Sequence, residues 1–142
     1  MVRRAQPEDA EAVLSLMAGL GRPPVARDPG GQADVFRAHL TAREAEVFVA
    51  EVGGAIAGAV SLWFRPRLNW TTLEAWVPDL YVDPAFRRRG AARALLDACV
   101  QGARDRGCHR LVLESGHERA EAHQLYESYG FMHSGREYGL PL

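Results

Sequence analysis

Apolar positions recur at two different spacings along this chain, and each change of spacing marks an element. From Pro7 onward, Ala10, Val13, Leu14 and Met17 follow the 3.6-residue period of an amphipathic helix that ends by Gly19 to Gly21. A short strand over 2–6 precedes it. The stretch 21–31 is dense in Pro and Gly and predicts a loop, with a second helix over 33–43. From Val47 the β pattern takes over: 47–50 and 55–64 predict strands joined through Gly53-Gly54, a hairpin dipeptide, and 73–82 predicts a third. After Asp83-Pro84 a long helix carries Ala92, Leu95, Leu96, Cys99, Val100 and Ala103 on one stripe and is closed by Gly107. A strand over 110–114, a helix bearing Ala122, Leu125, Tyr126 and Tyr129 before Gly130, and a last strand from Phe131 complete the order. An antiparallel strand group followed by strand–helix–strand–helix–strand is the signature of an α/β domain with a mixed sheet. No repeat or composition break divides the chain, so residues 1–142 predict a single domain.

Composition narrows the function classes. The chain is 25% charged and 47% hydrophobic, and its 17 basic and 18 acidic side chains give a formal net charge of -1. Such near-neutrality supplies no electrostatic reason to expect nucleic acid or an anionic membrane as partner. Every basic residue is an arginine. Cys99 and Cys108 stand outside metal or C-x-x-C spacings and read as reduced thiols. His117 and His123 lack the spacing and companions of a metal site, so no metal is expected. The N-terminus runs straight into an amphipathic pattern, and no apolar stretch is long enough to cross a bilayer; the expected location is the cytoplasm.

Candidate chemistry begins at Asp79-Leu-Tyr-Val-Asp-Pro-Ala-Phe-Arg-Arg-Arg-Gly-Ala-Ala92, which sets an Arg87-x-x-Gly90-x-Ala92 turn between a strand end and a helix start. Free backbone N–H groups and the positive end of the helix dipole converge at such a turn, small residues let phosphates approach the main chain, and Arg87, Arg88 and Arg89 add charge. Further on comes Ala122-His-Gln-Leu-Tyr126-Glu-Ser-Tyr-Gly-Phe131. Together the two segments resemble the GCN5-related N-acetyltransferase (GNAT) superfamily over nearly the whole chain. The resemblance implies a single α/β domain whose mixed, mostly antiparallel sheet is splayed at its central strands and flanked by about four helices. It implies acetyl-CoA as co-substrate, with the pyrophosphate on Arg87 to Ala92, including Arg88, Arg89, Gly90 and Ala91, and the pantetheine arm along Leu80, Tyr81 and Val82. It also implies Tyr126 as general acid and often a homodimer.

Acetyl transfer from a thioester to an amine needs a neutral amine, a polarised carbonyl and a proton for the departing thiolate. The resemblance assigns the last task to Tyr126, although a tyrosine on the apolar stripe of a helix also packs simply as core. Polarisation falls to a strand N–H, that of Val82. Many family members carry a base glutamate where this chain has Pro78, which leaves Asp79 and Glu74 as candidates acting through water. Strand alternation places Asp79 on the face opposite Pro78 and Glu74 on the same face as Pro78. Asp79 also reads as a structural carboxylate. Arg119 replaces an asparagine usual in relatives; the form Ser115-Gly-x-x-Arg119-x-x-Ala122-His123 resembles a subgroup acting on small amines, and Arg119 either touches the cofactor or makes a surface ion pair. His123, one turn before Tyr126, either orients it or packs.

On the acceptor side, the segment 62–76 gathers Trp63, Trp70 and Trp76 with Arg65 and Arg67. Asn69-Trp70 is similar to the aminoalkylphosphonate N-acetyltransferase branch, which implies an anionic group held by the two arginines while an amine is acetylated. The plainer alternative is an aromatic strand pair with solvated arginines at its turn. The function expected is acetyl transfer to a primary amine of a small molecule by direct attack. The alternatives are a peptide or protein N-acetyltransferase and a non-catalytic acyl-CoA-binding module.

Overall fold

A computed structural model describes residues 1–19, 29–114 and 120–142. Five strands form one sheet in sequence order: β1 (Val2–Arg4), β2 (Ala45–Val52), β3 (Ala55–Arg65), β4 (Glu74–Val82) and β5 (Arg110–Leu113). The first three pairings are antiparallel and β4–β5 is parallel. Helices α1 (Ala10–Ala18), α2 (Pro29–Thr41), α3 (Ala91–Asp105) and α4 (Ala120–Tyr129) flank the sheet. Helix α2 begins earlier than the expected 33–43, because Pro29 has the fixed φ that suits a first helical position. The remainder of the expected 21–31 loop, residues 21–28, lies outside the described residues.

Two cores follow from the alternation along the strands. On one face, Val60, Leu62 and Phe64 of β3 and Ala75, Val77, Leu80 and Val82 of β4 pack with Leu95, Leu96 and Cys99 of α3 and Tyr126 of α4. On the other, Val47 and Val49 of β2, Ala59 and Tyr81 meet Val13 and Leu16 of α1 and Phe36 of α2. Leu62, Leu95 and Leu96 are fully buried, each contributing about 1.5–3 kcal/mol by leaving water. The α3 stripe that the sequence predicts is therefore the stripe that fixes the helix, and with it the turn at its start, against β3 and β4.

Two expectations are corrected. Residues 131–142 form no strand: Phe131 packs on Tyr126 and Tyr129, while every residue from Met132 on is exposed. Gly135, Gly139 and Pro141 oppose extension into a strand despite the alternation of Tyr138, Leu140 and Leu142. The simple alternation along β4 also fails. Ser61 pairs with Asp79 but Trp63 pairs with Trp76, so Leu62 alone stands opposite both Val77 and Pro78. This β-bulge resets the parity, and Glu74, Trp76, Asp79 and Tyr81 share the α1/α2 face. Pro78, which has no N–H to give a ladder, is tolerated at that irregularity.

Candidate active site

The sheet opens at the bulge. Pairing between β4 and β5 ends at Val77 and Leu113, five residues before β4 itself ends, with a last contact from the Glu114 N–H to the Val77 carbonyl at 3.4 Å. On the other edge of β4 the Asp83 N–H donates to the Ala57 carbonyl at 2.8 Å. Hydrogen-bonded pairs alternate in an antiparallel ladder, so the Tyr81 and Asp79 N–H groups also turn toward β3, and those of Leu80 and Val82 turn toward the opening. A cleft of about 470 Å³ occupies this place, lined by Leu80, Tyr81 and Val82, by Arg87, Arg88 and Ala92 of the turn, and by Leu125 and Tyr126 of α4.

The turn has the backbone geometry of an anion-binding nest. Arg88 and Gly90 both have left-handed φ, 63° and 77°, on either side of Arg89. Alternation of this kind turns successive N–H groups to one side as an anion-binding nest. Gly90 is the N-cap of α3 and no side chain caps the helix, which leaves its first N–H groups available at the positive end of the dipole. Arg87 and Arg88 line the cleft. Arg89 is not among the lining residues; its guanidinium lies 5.7 Å from the Phe86 ring centroid. Ala91 is buried behind the turn. A cleft with strand N–H groups along one wall and a cationic nest at its end fits a long ligand with an amide-bearing arm and a pyrophosphate, as acetyl-CoA has.

Tyr126 is buried in the wall of the cleft, with its ring edge-on to Phe131 at 6.2 Å. Neighbouring Tyr129 instead ties α4 to α3, its hydroxyl donating to Asp97 at 2.6 Å, and burial with that bond pushes its pKa up to about 12. His123 is half-buried on α4 and is absent from the lining. Arg119 and His117 lie outside the described residues. Among the described residues no cluster of metal-ligating side chains occurs.

The two carboxylates proposed as bases part company. Asp79 sits just beyond the bulge and accepts from the Ser61 hydroxyl at 3.1 Å. Glu74 is buried to 1% exposure at the far end of β4 and holds three guanidiniums: Arg65 at 2.7 Å, Arg110 at 2.9 Å and Arg67 at 3.1 Å. Burial by itself would raise its pKa, but the hydrogen bonds and charges of Arg65 and Arg110 prevail and hold it below the usual carboxylate range. A carboxylate so placed organises arginines and is poorly suited to take a proton. Arg65 and Arg67 are accordingly not loose turn residues, and the Arg65 guanidinium also stacks 4.6 Å over Trp76.

Trp63 and Trp76 are register partners on one face of β3 and β4, and Trp70 lies in the connection between those strands. Trp63 meets His39 of α2 edge-on at 5.0 Å, and Trp70, half-exposed, stacks on His109 at 4.0 Å. Trp76 donates its indole N–H to Glu114 at 2.8 Å. Sequence reading passed over Glu114 and Arg110. Their signal is their place on β5: Arg110 is in register with Glu74, and Glu114 closes the strand where β4 and β5 part.

Comparison with known proteins bears on the same region. The sequence profile of the Acetyltransferase (GNAT) family matches residues 14–131. The chain is 33% identical to aminoglycoside N(6')-acetyltransferase type 1 of Stenotrophomonas maltophilia over 95% of its length and 88% of that protein. It is 32% identical to N-acetyltransferase 8 of Homo sapiens over 75% of its length, and there it spans only 47% of the relative. Among solved structures, a transcriptional regulator from Bacillus halodurans superposes with a TM-score of 0.87 at 23% identity, covering 100% of this chain and 99% of that one. A predicted acetyltransferase from Clostridium acetobutylicum, solved with acetyl-CoA, superposes with a TM-score of 0.80 at 21% identity, covering 99% of this chain and 95% of that one.

Proposed function

The chain belongs to the acetyltransferase (GNAT) family, and from that premise we propose that it is an acetyl-CoA-dependent N-acetyltransferase acting on the primary amine of a small molecule. The observation that carries the reading is the joining of three features in one cleft: outward N–H groups of β4, the nest at the start of α3, and the Tyr126 side chain in the wall. The nest, with Arg87 and Arg88, holds the pyrophosphate; Leu80, Tyr81 and Val82 run beside the pantetheine arm. An N–H of Val82 or Leu80 polarises the thioester carbonyl at no reorganisation cost, since the strand already holds it in place. The amine attacks that carbonyl, the C–N bond forms, the C–S bond breaks, and Tyr126 gives its proton to the departing thiolate. The amine's own proton leaves toward Asp79 or Glu114 through water, both carboxylates lying where the strands part.

Relatives named for aminoglycoside and thialysine acetylation favour a small amine over a protein acceptor. The cytoplasm is the proposed location; among the described residues no helix is long and apolar enough to cross a membrane. The test is thiol release from acetyl-CoA with polyamines, aminoglycosides, amino acids and short peptides against an amine-free blank. Amine-dependent release supports the transferase. Acetyl-CoA binding with silence across the panel would move the reading to a non-catalytic acyl-CoA-binding module.

A further inference from the structure

Continued without interruption, the register at the start of β4 would set Ser61 opposite Pro78 and turn Asp79 to the α3 face, opposite fully buried Val60. The extra residue at the bulge places Asp79 opposite Ser61 instead, on the α1/α2 face. Ser61 is itself buried, and its hydroxyl donates to Asp79 Oδ2 at 3.1 Å. A buried hydroxyl in an apolar strand needs an acceptor for its hydrogen, and here that acceptor is the carboxylate. Glu114 is held differently. Its Oε1 accepts from the Trp76 indole at 2.8 Å, and Trp76 lies before the bulge, under the Arg65 guanidinium at 4.6 Å. Asp79 stands three residues further along β4, about 10 Å at the rise of a strand. It adjoins Leu80, whose N–H turns toward the opening, and shares its face with Tyr81, which lines the cleft.

We propose that Ser61 is a positioning residue: its hydroxyl holds the Asp79 carboxylate beside the reacting carbonyl, so that Asp79 and not Glu114 receives the amine's proton. An alkylammonium titrates at about 10 and cannot attack until it loses a proton. That proton passes through water to Asp79, and the lone pair left on nitrogen forms the C–N bond. The C–S electron pair departs with sulfur, which takes the Tyr126 proton, and the nitrogen's second proton restores the Tyr126 phenol. Asp79 returns its proton to solvent. The bond from Ser61 fixes one oxygen and so the plane of the carboxylate; a base turned out of line slows transfer without weakening cofactor binding. The proposal rests on the transferase reading and adds which carboxylate takes the proton and what holds it there.

Ethylamine and trifluoroethylamine separate this role from a structural one. Near neutral pH the first is protonated, whereas the second, of almost the same shape, is already neutral because its fluorines withdraw charge from nitrogen. Only the first needs the base. Asp79→Asn is expected to lower kcat/KM about a hundredfold for ethylamine and less than about threefold for trifluoroethylamine. Ser61→Ala should show the same selectivity at about five- to tenfold, and Ser61→Thr, which keeps the hydroxyl, should recover the parent ratio. Unchanged circular dichroism and acetyl-CoA affinity show that each variant is folded. A Ser61→Ala loss equal for the two amines, or no loss, would overturn the proposal. So would a selective loss in Glu114→Gln that Asp79→Asn lacks. The transferase reading fails separately, when the parent releases no thiol with any amine; thiol release that Ser61→Ala leaves unselective keeps the transferase and removes the positioning role.

Discussion

Replacing Glu74 by Gln tests whether this carboxylate is an organiser of arginines or a base. The substitution keeps the shape but leaves three guanidiniums around a neutral amide in a site of 1% exposure. Breaking a buried pair by removing one partner costs about 3–5 kcal/mol, and the partial exposure of the arginines lets water recover some of it, so about 2–4 kcal/mol is expected. For a chain near this length that lowers Tm by roughly 6–12 °C in a thermal melt. The acid limb should change with it. The Glu74 carboxyl is depressed in the folded protein, so its contribution is complete above its ordinary value of 4.5 and is lost as pH falls through the lower folded value. The variant should therefore lose less stability than the parent over that range. Thiol release with a neutral amine, measured well below the melt, should change by less than about threefold. An unshifted Tm with a large loss of kcat would refute the structural assignment and restore Glu74 as a base.

Two further substitutions probe the walls of the cleft. Gly90→Ala meets no atom within 4 Å, so its cost is the left-handed backbone at φ 77°, about 1–2 kcal/mol, and calorimetry should show weaker acetyl-CoA binding as the nest distorts; unchanged affinity would remove the nest from cofactor binding. Gly19→Ala would bring a methyl within 2.6 Å of the Tyr81 ring, which lines the cleft, and is expected to cost about 1–3 kcal/mol in denaturant unfolding and to raise the KM for acetyl-CoA; a stable variant with unchanged kinetics would contradict the contact.

How much was legible in the sequence follows from the range of the interactions. Helix α3 and the turn before it were readable because their determinants are local: a stripe at 3.6 spacing, and a glycine where φ is positive. The bulge was not, because one unpaired residue in a ladder leaves little local trace beyond Pro78, and without it the parity of Asp79 against Glu74 came out reversed. The arginine cluster around Glu74 was invisible for the same reason, since it needs the register of three strands to bring Arg65, Glu74 and Arg110 abreast. Arg89 looked equivalent to its neighbours in a run of three, yet only Arg87 and Arg88 line the cleft.

In the proposed mechanism Tyr126 delivers the proton that lets the thiolate leave. Amine-dependent thiol release by the parent and by Tyr126→Phe, with acetyl-CoA affinity measured on both, tests it most directly. The substitution should lower kcat about a hundredfold or more with affinity nearly unchanged. Equal turnover in the two proteins would contradict it and return Tyr126 to the core.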